Sequence, residues 1–222
     1  MCGRYTLKSN PHAVASLCNL PAISELKARF NIAPTQLVPV IRAGPSGREL
    51  TMLRWGLIPS WAKDAKIAHM MINARAETAA EKPAFRSAMK RRRCLLPADG
   101  FYEWKKVGKQ KLPLHIRRRD EAPFAFAGLW ESWRPPEGDP IETCTILTTA
   151  SNEVVAPYHD RMPVILPPEY YDAWLKPGDA DAEGFLPLMV PFPAAEMVAV
   201  AANPIVNSPK TDCPECLQAI VV

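Results

Sequence analysis

The sequence predicts an α+β fold in which a mixed or barrel-like β-sheet is flanked by a few short helices. Proline makes up 24 of the 222 residues, about twice the ~5% of average proteins, and it interrupts both helices and inner strands. Short segments with strand character recur along most of the chain. A composition of 48% hydrophobic and 23% charged residues excludes a disordered or fibrous chain. We therefore expect a single domain, 1–222, with a substantial core.

Three segments have helix signals. Asn10 and Pro11 precede a short run ending at Cys18, which predicts a capped helix with proline in its first turn. A second helix is predicted over Pro83–Arg92, because proline begins the segment and its last turn is basic. A third is predicted over Pro168–Leu175. These helices are all short.

Strand signals are more numerous. Leu37–Ile41 and Leu50–Trp55 flank the turn Gly44–Gly47, which predicts a hairpin. Further strands are predicted at Cys94–Leu96, Phe101–Val107, Leu112–Arg117, Phe124–Trp130, Thr143–Thr149 and Pro163–Leu166. Many short strands with few helices indicate the α+β class.

Charge is distributed unevenly along the chain. Residues 1–119 contain 23 Lys/Arg and 7 Asp/Glu, whereas residues 120–222 contain 4 and 16, so the two parts carry +16 and −12. Such an imbalance is typical of a cationic surface that binds a polyanion such as nucleic acid. The alternative is that the two halves neutralise each other within one domain. Charge alone leaves both interpretations open.

The sequence does not indicate a secreted or membrane protein. Its most apolar stretch, Leu188–Val206, is broken by prolines and a glutamate, and the first residues lack the apolar run of a signal peptide. Six scattered cysteines in a chain of this size do not require a disulfide framework. We therefore expect a reducing, cytoplasmic setting.

Cys2 is the first candidate for chemistry. An initiator methionine before a small residue is generally removed, which would leave an amine and a thiol on adjacent carbons of Cys2. Their reference pKa values, ~7.7–8.0 and ~8.5, give both groups a nucleophilic fraction near neutrality. An aldehyde could form an imine with the amine and then close to a thiazolidine with the thiol. An ordinary packed second residue is the alternative.

Polar residues alternate with apolar ones from Ile72 to Glu77. An extended conformation would place Asn73, Arg75 and Glu77 on one face, where they could orient a phosphate and a neighbouring polar group. A solvent-facing edge strand would show the same pattern.

Two further segments contain titratable candidates. Glu103 lies between aromatic residues, which would desolvate its carboxylate, raise its pKa and suit it to proton transfer. His159 offers a proton donor near physiological pH, and Arg161 a possible phosphate contact. Each could equally be structural, and Asp160 cannot be assumed to be the partner of His159.

Other features point less clearly to a site. Cys213 and Cys216 have a metal-like spacing, but no second Cys/His pair accompanies them, so neither a metal nor another cofactor is predicted. Trp55 and Trp61 could stack on bases or belong to the core.

Taken together, six segments resemble the SOS response-associated peptidase (SRAP) family, also called abasic-site processing proteins. In chain order they are Met1–Arg4 (MCGR), Asn31–Pro34 (NIAP), Trp55–Trp61 (WGLIPSW), Asn73–Glu77 (NARAE), Ala98–Trp104 (ADGFYEW) and His159–Pro163 (HDRMP). The resemblance implies a compact fold with a closed or bifurcated sheet. It also implies covalent capture of abasic sites in single-stranded DNA as a thiazolidine on Cys2, which shields the lesion, with an associated lyase activity through the imine.

The resemblance also implies residue roles. Asn73 would position Cys2 or the abasic sugar, Glu103 would orient or deprotonate the amine, and His159 would assist ring opening and proton transfer. The residues expected to contact DNA are Arg4, Arg75 and Arg161 at phosphates, with Pro34 and Trp61 against bases. Some relatives have a second tryptophan where this chain has Ala62, which puts base wedging there in doubt.

By the same resemblance, the partner is single-stranded DNA containing abasic sites and not a membrane. The protein is expected to be a monomer without cofactors, in the cytoplasm at the nucleoid.

Two alternative functions remain at this point. One is a peptidase or amidohydrolase with Cys2 as its N-terminal nucleophile, His159 as base and Glu103 as orienting group. The other is a non-catalytic single-strand binder that uses only charge and aromatic side chains.

Overall fold

The computed structural model describes residues 2–179 and 183–219, and it confirms the α+β class. In that part of the chain thirteen strands form two sheets. The strands are β1 Tyr5–Leu7, β2 Arg29–Ile32, β3 Leu37–Gly44, β4 Gly47–Trp55, β5 Asn73–Arg75, β6 Arg93–Ala98, β7 Gly100–Val107, β8 Gln110–Arg118, β9 Phe124–Trp133, β10 Ile141–Ala150, β11 Arg161–Pro163, β12 Ile165–Leu166 and β13 Met197–Ala201. The α-helices are α1 Pro11–Cys18, α2 Ala76–Ala79, α3 Arg86–Arg91 and α4 Tyr171–Leu175.

Short 3₁₀ segments complete the regular structure. They are Ala65–Met70, Pro168–Tyr170, Glu183–Leu188, Ala194–Glu196, Pro204–Asn207 and Pro214–Leu217. Over residues 2–179 and 183–219 no helix is long and apolar enough to cross a bilayer.

Five strands close into a mixed barrel. Around the ring, β4 pairs with β3, β3 with β6, β6 with β9 and β9 with β10, all antiparallel, and β10 returns to β4 in parallel. The second sheet is open and antiparallel, in the order β13-β8-β7-β1-β2. The barrel-like sheet predicted from the sequence is therefore confirmed.

β10 belongs to the barrel only over its first half. Beyond Cys144 it leaves β4 and pairs with β5 in parallel, and its last three residues pair with β11. The end of β10 thus projects from the barrel with a short strand on each side. These two strands place Asn73 and the segment before Arg161 on either side of the end of β10.

The main core lies between the open sheet and the barrel. Tyr5 of β1 packs edge-on against Trp55 of β4 and Phe126 of β9, with ring centroids 5.4 and 5.7 Å apart. Phe101 of β7 also reaches Phe126. All four rings are buried, and offset aromatic contacts of this kind add to the free energy gained by burial. This core holds β1 and β7, the strands next to the site, against the barrel.

Most predicted elements are confirmed, with shifted ends. Helix α1 matches the predicted bounds, and the Asn10 side chain accepts the Ala13 N–H as its cap. The hairpin β3–β4 is present. The predicted helix Pro83–Arg92 begins only at Arg86, and the predicted strand Pro163–Leu166 is divided between β11 and β12. The division allows one segment to pair first with β10 and then with β9.

Candidate active site

The candidate active site lies where the two sheets meet. Cys2 directly precedes β1, and Glu103 lies on β7 of the same open sheet. Asn73 begins β5, and His159 lies in the loop before β11, so both depend on the projecting end of β10. Four residues from distant parts of the sequence are brought together by this arrangement.

Cys2 is fully buried and belongs to the main core. Burial raises the pKa of its thiol well above the ordinary value, and the nearby Glu103 carboxylate raises it further. The Cys2 Sγ lies 3.9 Å from the Arg4 carbonyl oxygen. At neutral pH the thiol is therefore protonated, and a thiolate is disfavoured.

Asn73 contacts Cys2 directly. Its Nδ2 donates a hydrogen bond of 2.8 Å to the Cys2 carbonyl oxygen. Its Oδ1 is buried and has no hydrogen-bond partner within the described residues. A buried acceptor without a donor costs about 1–3 kcal/mol, so this oxygen is available to a hydrogen-bond donor brought by a ligand.

Glu103 is only 5% exposed on β7. Burial raises the pKa of its carboxyl from 4.5 to about 7, because the charged form loses its hydration. Near neutral pH the protonated and ionised forms are therefore both populated. Such a group can take a proton in one step and return it in the next.

His159 is partly buried, and burial lowers its pKa. Its Nδ1 accepts the Arg161 backbone N–H at 2.9 Å, while Asp160 Oδ1 lies 2.9 Å from the same nitrogen. Nδ1 can accept the Arg161 N–H only when Nδ1 carries no proton, whereas an ion pair with Asp160 requires a proton on Nδ1. The lowered pKa favours the neutral ring, in which Nε2 carries the proton.

Glu103 and His159 line one cleft of about 690 Å³. The other residues that line the cleft were not among the predicted site residues; they are Trp104, Lys106, Lys111, Tyr158 and Asn207. Trp104 and Tyr158 lie beside predicted site residues in the sequence, so adjacency could have identified them. Asn207 had no such signal, because it comes from the C-terminal segment and reaches the cleft by accepting the Trp104 indole N–H at 2.7 Å.

Arg4 lies behind the cleft wall. Its Nη1 donates to Asn31 Oδ1 at 2.7 Å and to the Val206 carbonyl oxygen at 2.8 Å. Its guanidinium is also 5.8 Å from the centre of the Trp104 ring. Arg4 thus stabilises the position of Trp104 and Asn207, and its predicted contact with a phosphate stays a prediction.

The extended conformation predicted from Asn73 to Glu77 is wrong beyond Arg75. The strand ends there, and Glu77 lies in the first turn of helix α2, where a carboxylate is favourable. Its two oxygens accept hydrogen bonds of 2.6 and 2.7 Å from Arg161. Arg75 is exposed. Of these two arginines, therefore, Arg161 is held by a carboxylate and Arg75 projects at the surface.

Pro34 and Trp61 lie outside the cleft. Pro34 is half-buried in the turn between β2 and β3, before Thr35 in the left-handed region with φ 74°. Trp61 is 59% exposed, and its indole N–H donates to the Pro83 carbonyl oxygen at 3.3 Å. It lines a shallow cavity of about 450 Å³ together with Lys63 and Lys66. Trp55, by contrast, belongs to the core.

Ion pairs explain part of the charge asymmetry. Lys90 and Arg91 pair with Asp179, and Arg92 pairs with Glu131. Those three residues belong to the basic run Lys90–Arg93. In a second basic run, Arg117–Arg119, Arg117 pairs with Glu121 and Arg118 pairs with Asp120. Every one of these carboxylates comes from the acidic half of the chain. Mutual neutralisation, the alternative to a polyanion surface, therefore applies to both arginine-rich runs.

Cys216 lies on the 3₁₀ turn Pro214–Leu217, and Cys213 directly precedes it. Cys216 is buried with its Sγ 3.8 Å from the Thr211 carbonyl oxygen, and Cys213 is partly exposed. Within residues 2–179 and 183–219 no three His, Cys, Asp or Glu side chains form a group suited to a metal ion.

Comparisons with known proteins agree with the resemblance seen in the sequence. The chain is 45% identical to the abasic site processing protein YoqW of Bacillus subtilis, over 99% of this chain and all of that protein. It is 32% identical to the abasic site processing protein HMCES of Xenopus tropicalis, over 87% of this chain and 66% of that protein. A crystal structure of a Bacteroides thetaiotaomicron protein superposes with a TM-score of 0.87 at 29% identity, covering 99% of this chain and all of that one.

The family model gives the same assignment. The model described as SOS response associated peptidase (SRAP) matches residues 1–209, which is nearly the whole chain. Family match, sequence identity and fold similarity all extend over most of the molecule. The chain therefore belongs to the SRAP family.

Proposed function

We propose that this protein processes abasic sites in single-stranded DNA by trapping the sugar aldehyde on Cys2 as a thiazolidine. The names of its relatives support the substrate class. The observation that supports the chemistry most directly is the 2.8 Å hydrogen bond between Asn73 and the Cys2 carbonyl oxygen. It holds the N-terminal residue beside Glu103 and next to a cleft that also includes His159.

The order of the two nucleophiles follows from their pKa values. Burial raises the pKa of the Cys2 thiol, so the thiol stays protonated at neutral pH. An α-amine released by removal of Met1 has a reference pKa of ~7.7–8.0 and is partly unprotonated there. The amine therefore attacks the aldehyde first, and the thiol reacts second.

The covalent steps release one water in all. The Cys2 nitrogen adds to the aldehyde carbon of the ring-opened sugar, and the resulting carbinolamine loses hydroxide with a proton to become an imine. Sulfur then adds to the imine carbon while the thiol proton passes to nitrogen, which closes the five-membered ring. Glu103, with a pKa of about 7, accepts the amine proton and returns one to the departing hydroxyl.

His159 acts on the sugar before capture. An abasic deoxyribose is mostly a closed ring, and opening it requires a proton on the ring oxygen. The C1′ hydroxyl loses a proton as the ring oxygen gains one, and neutral His159 on the cleft wall can orient this transfer by donating a hydrogen bond from Nε2–H to the ring oxygen.

The lyase activity follows from the imine stage. The imine makes the hydrogens on the adjacent sugar carbon more acidic, so a base can remove one and expel the 3′ phosphate by β-elimination. Addition of the Cys2 thiol consumes the same imine. Closure of the thiazolidine therefore competes with strand cleavage.

The DNA-binding residues act around this centre. Arg75 is exposed and can contact a phosphate directly, whereas Arg161 would have to exchange the Glu77 carboxylate for one. Arg4 acts behind Trp104, Pro34 lies in the turn after β2, and exposed Trp61 offers a face for a base.

The thiol pKa also bears on a peptidase role for Cys2. Cysteine peptidases depend on a thiolate, which a lowered pKa provides. In this protein the pKa of Cys2 is shifted in the opposite direction. The amine chemistry is therefore the function that the site supports best.

Intact-mass analysis tests the proposal. Wild-type protein is incubated with a single-stranded oligonucleotide containing one abasic site, and with the same strand carrying a normal base. We expect a denaturation-resistant product only with the abasic strand, at the mass of protein without Met1 plus DNA minus one water. Cys2→Ala should lose it, whereas Cys18→Ala, which removes a buried thiol of helix α1, should keep it. An active protein that retains Met1, or peptide turnover without adduct, would contradict the proposal.

A further inference from the structure

The β7–β8 hairpin places two lysines on the wall of the cleft. Lys106 and Lys111 are directly opposite each other in the antiparallel register, and both are exposed. Both also line the cavity that contains Glu103 and His159. The reactive end of the cleft and this lysine pair therefore share one cavity.

A pair of like charges at opposed positions is unfavourable in an antiparallel sheet. Directly opposed side chains have Cβ atoms about 4.5–5.5 Å apart, and two positive charges there destabilise the pairing. Neither lysine forms an ion pair with any described residue. Local rules of stability are most often broken at functional sites, and an anion between the two ammonium groups would remove the repulsion.

The same face of the hairpin provides an aromatic ring. Side chains two residues apart on a strand lie on one face, so Trp104 precedes Lys106 on the cleft side of β7. The Trp104 ring is held by the hydrogen bond to Asn207 and by Arg4. An aromatic platform followed by cations is how proteins bind the bases and phosphates of single strands.

Unlike Lys106 and Lys111, the arginine-rich runs carry charge that is already paired. Lys90–Arg92 and Arg117–Arg118 are neutralised by carboxylates of the acidic half. Lys106 and Lys111 are not neutralised in this way by any described residue, although the sequence shows longer basic runs elsewhere. A phosphate of a bound strand can therefore interact with the unpaired lysines that lie beside the reactive groups.

We propose that Lys106 and Lys111 form a clamp for a backbone phosphate of the DNA strand, at the nucleotide beside the one that reacts with Cys2. This inference rests on the proposed function, because it takes the ligand of the cleft to be single-stranded DNA. The clamp fixes the register of the strand, so that the abasic sugar lies at the N-terminus. It binds intact and abasic strands alike, since it contacts the backbone only.

A pair of double variants tests the clamp. Lys106→Gln/Lys111→Gln removes it, and Lys105→Gln/Lys109→Gln removes the same charge from the same hairpin. Lys105 is opposite Leu112 in the register and Lys109 lies in the turn, so the second variant is the matched control. The affinity for an intact single-stranded oligonucleotide is measured at salt concentrations from about 0.05 to 0.3 M, where counterion release governs binding.

We expect the clamp variant to bind about fivefold or more weakly at the lowest salt. Its plot of log K against log salt should be shallower by about 0.7 for the lost phosphate contact. The control should change by less than half as much, and the thermal midpoint of the clamp variant should not fall, because a repulsion is removed. Equal losses in the two variants, or no loss in the clamp variant, would overturn the inference.

The two proposals can fail separately. At saturating abasic DNA the clamp variant should still form the covalent product, because Cys2 and Glu103 are unchanged. If wild type forms no covalent product but the clamp variant still loses affinity for the intact strand, the proposed function fails and the clamp remains. If wild type forms the product and the variants bind equally, only the clamp fails.

Discussion

Two cysteines of the main core, Cys144 and Cys2, differ in what surrounds them. Cys144 on β10 and Cys2 before β1 are both fully buried, and burial raises the pKa of both thiols above the ordinary value. For Cys144 burial is the whole cause, whereas Cys2 also lies beside Glu103. A shifted pKa therefore does not by itself identify a reactive group. A second titratable group beside an open cleft distinguishes the two cysteines.

The largest expected effect separates the two thiols. Cys2→Ala should abolish the covalent product, because the ring cannot close without sulfur, and should leave imine chemistry at the amine. Cys144→Ala should keep the product and lower the free energy of unfolding by about 1 kcal/mol, since it leaves a small cavity in the core. Product formation is followed on denaturing gels and stability by urea unfolding. Loss of the product in both variants would show that Cys2 acts only through the fold.

The next effect concerns Glu103. Glu103→Gln should slow product formation by about 10²–10⁴-fold, the usual contribution of a positioned acid–base group. In wild type the rate should fall as the pH drops below about 7, because protonation removes the base. The variant should lose this step near pH 7 and keep only the fall in rate caused by protonation of the amine, whose reference pKa is ~7.7–8.0. Affinity for an intact strand is the control, and an equal loss of affinity would mean that Glu103 acts structurally.

The same carboxyl should lower the stability of the fold at high pH. Its folded-state pKa is about 7 against 4.5 when unperturbed, so the folded state holds its proton more tightly than the unfolded state. Stability from this group is therefore complete below about pH 4.5, falls as pH rises to about 7 and stays low above it. The shift corresponds to about 3 kcal/mol at most.

Glu103→Gln provides the measurement of this penalty. The variant should be more stable than wild type at pH 8, and the difference should vanish near pH 4.5. Urea unfolding at both pH values checks it. A variant that is equally stable, or less stable, at pH 8 would show that the cleft solvates the charge. Glu131 on the barrel strand β9 is equally buried, but it pairs with Arg92.

The smallest effect compares two tryptophans of one segment. Trp61→Ala should weaken binding to single strands by about 1–3 kcal/mol, the usual value of a base stacked on an aromatic ring, with little change in stability. Trp55→Ala should instead destabilise the fold by about 3–5 kcal/mol, because its ring is buried in the core. Fluorescence anisotropy and thermal melts separate the two. Unchanged binding in Trp61→Ala would remove it from the DNA surface.

Local signals predicted local structure well. The asparagine cap and first-turn proline of α1 lie within one segment, as do the turn and flanking strands of the β3–β4 hairpin, and both elements were predicted. Strands β1, β2 and β13 were missed, because they are three to five residues long and exist through pairing with distant strands. Glu77 was misplaced for the same reason, since periodicity does not show where a three-residue strand ends.

The sequence predicted which residues belong to the candidate site, whereas the contacts between them arise from the fold. Cys2, Asn73, Glu103 and His159 were each proposed from their neighbours in sequence and from the family resemblance. The hydrogen bond between Asn73 and Cys2 joins residues 71 positions apart. No periodic pattern contains that contact, because the projecting end of β10 creates it.

Neighbouring residues were sufficient to predict the strand-rich class, the helix cap, the β3–β4 hairpin and the residue types needed for aldehyde capture. Which charges are neutralised and which remain depends on contacts between distant parts of the chain. The arginine-rich runs meet carboxylates of the other half, while Lys106 and Lys111 lie opposite each other in one hairpin on the wall of the cleft. Electrostatic free energy depends on distance and burial in space, and separation along the chain specifies neither.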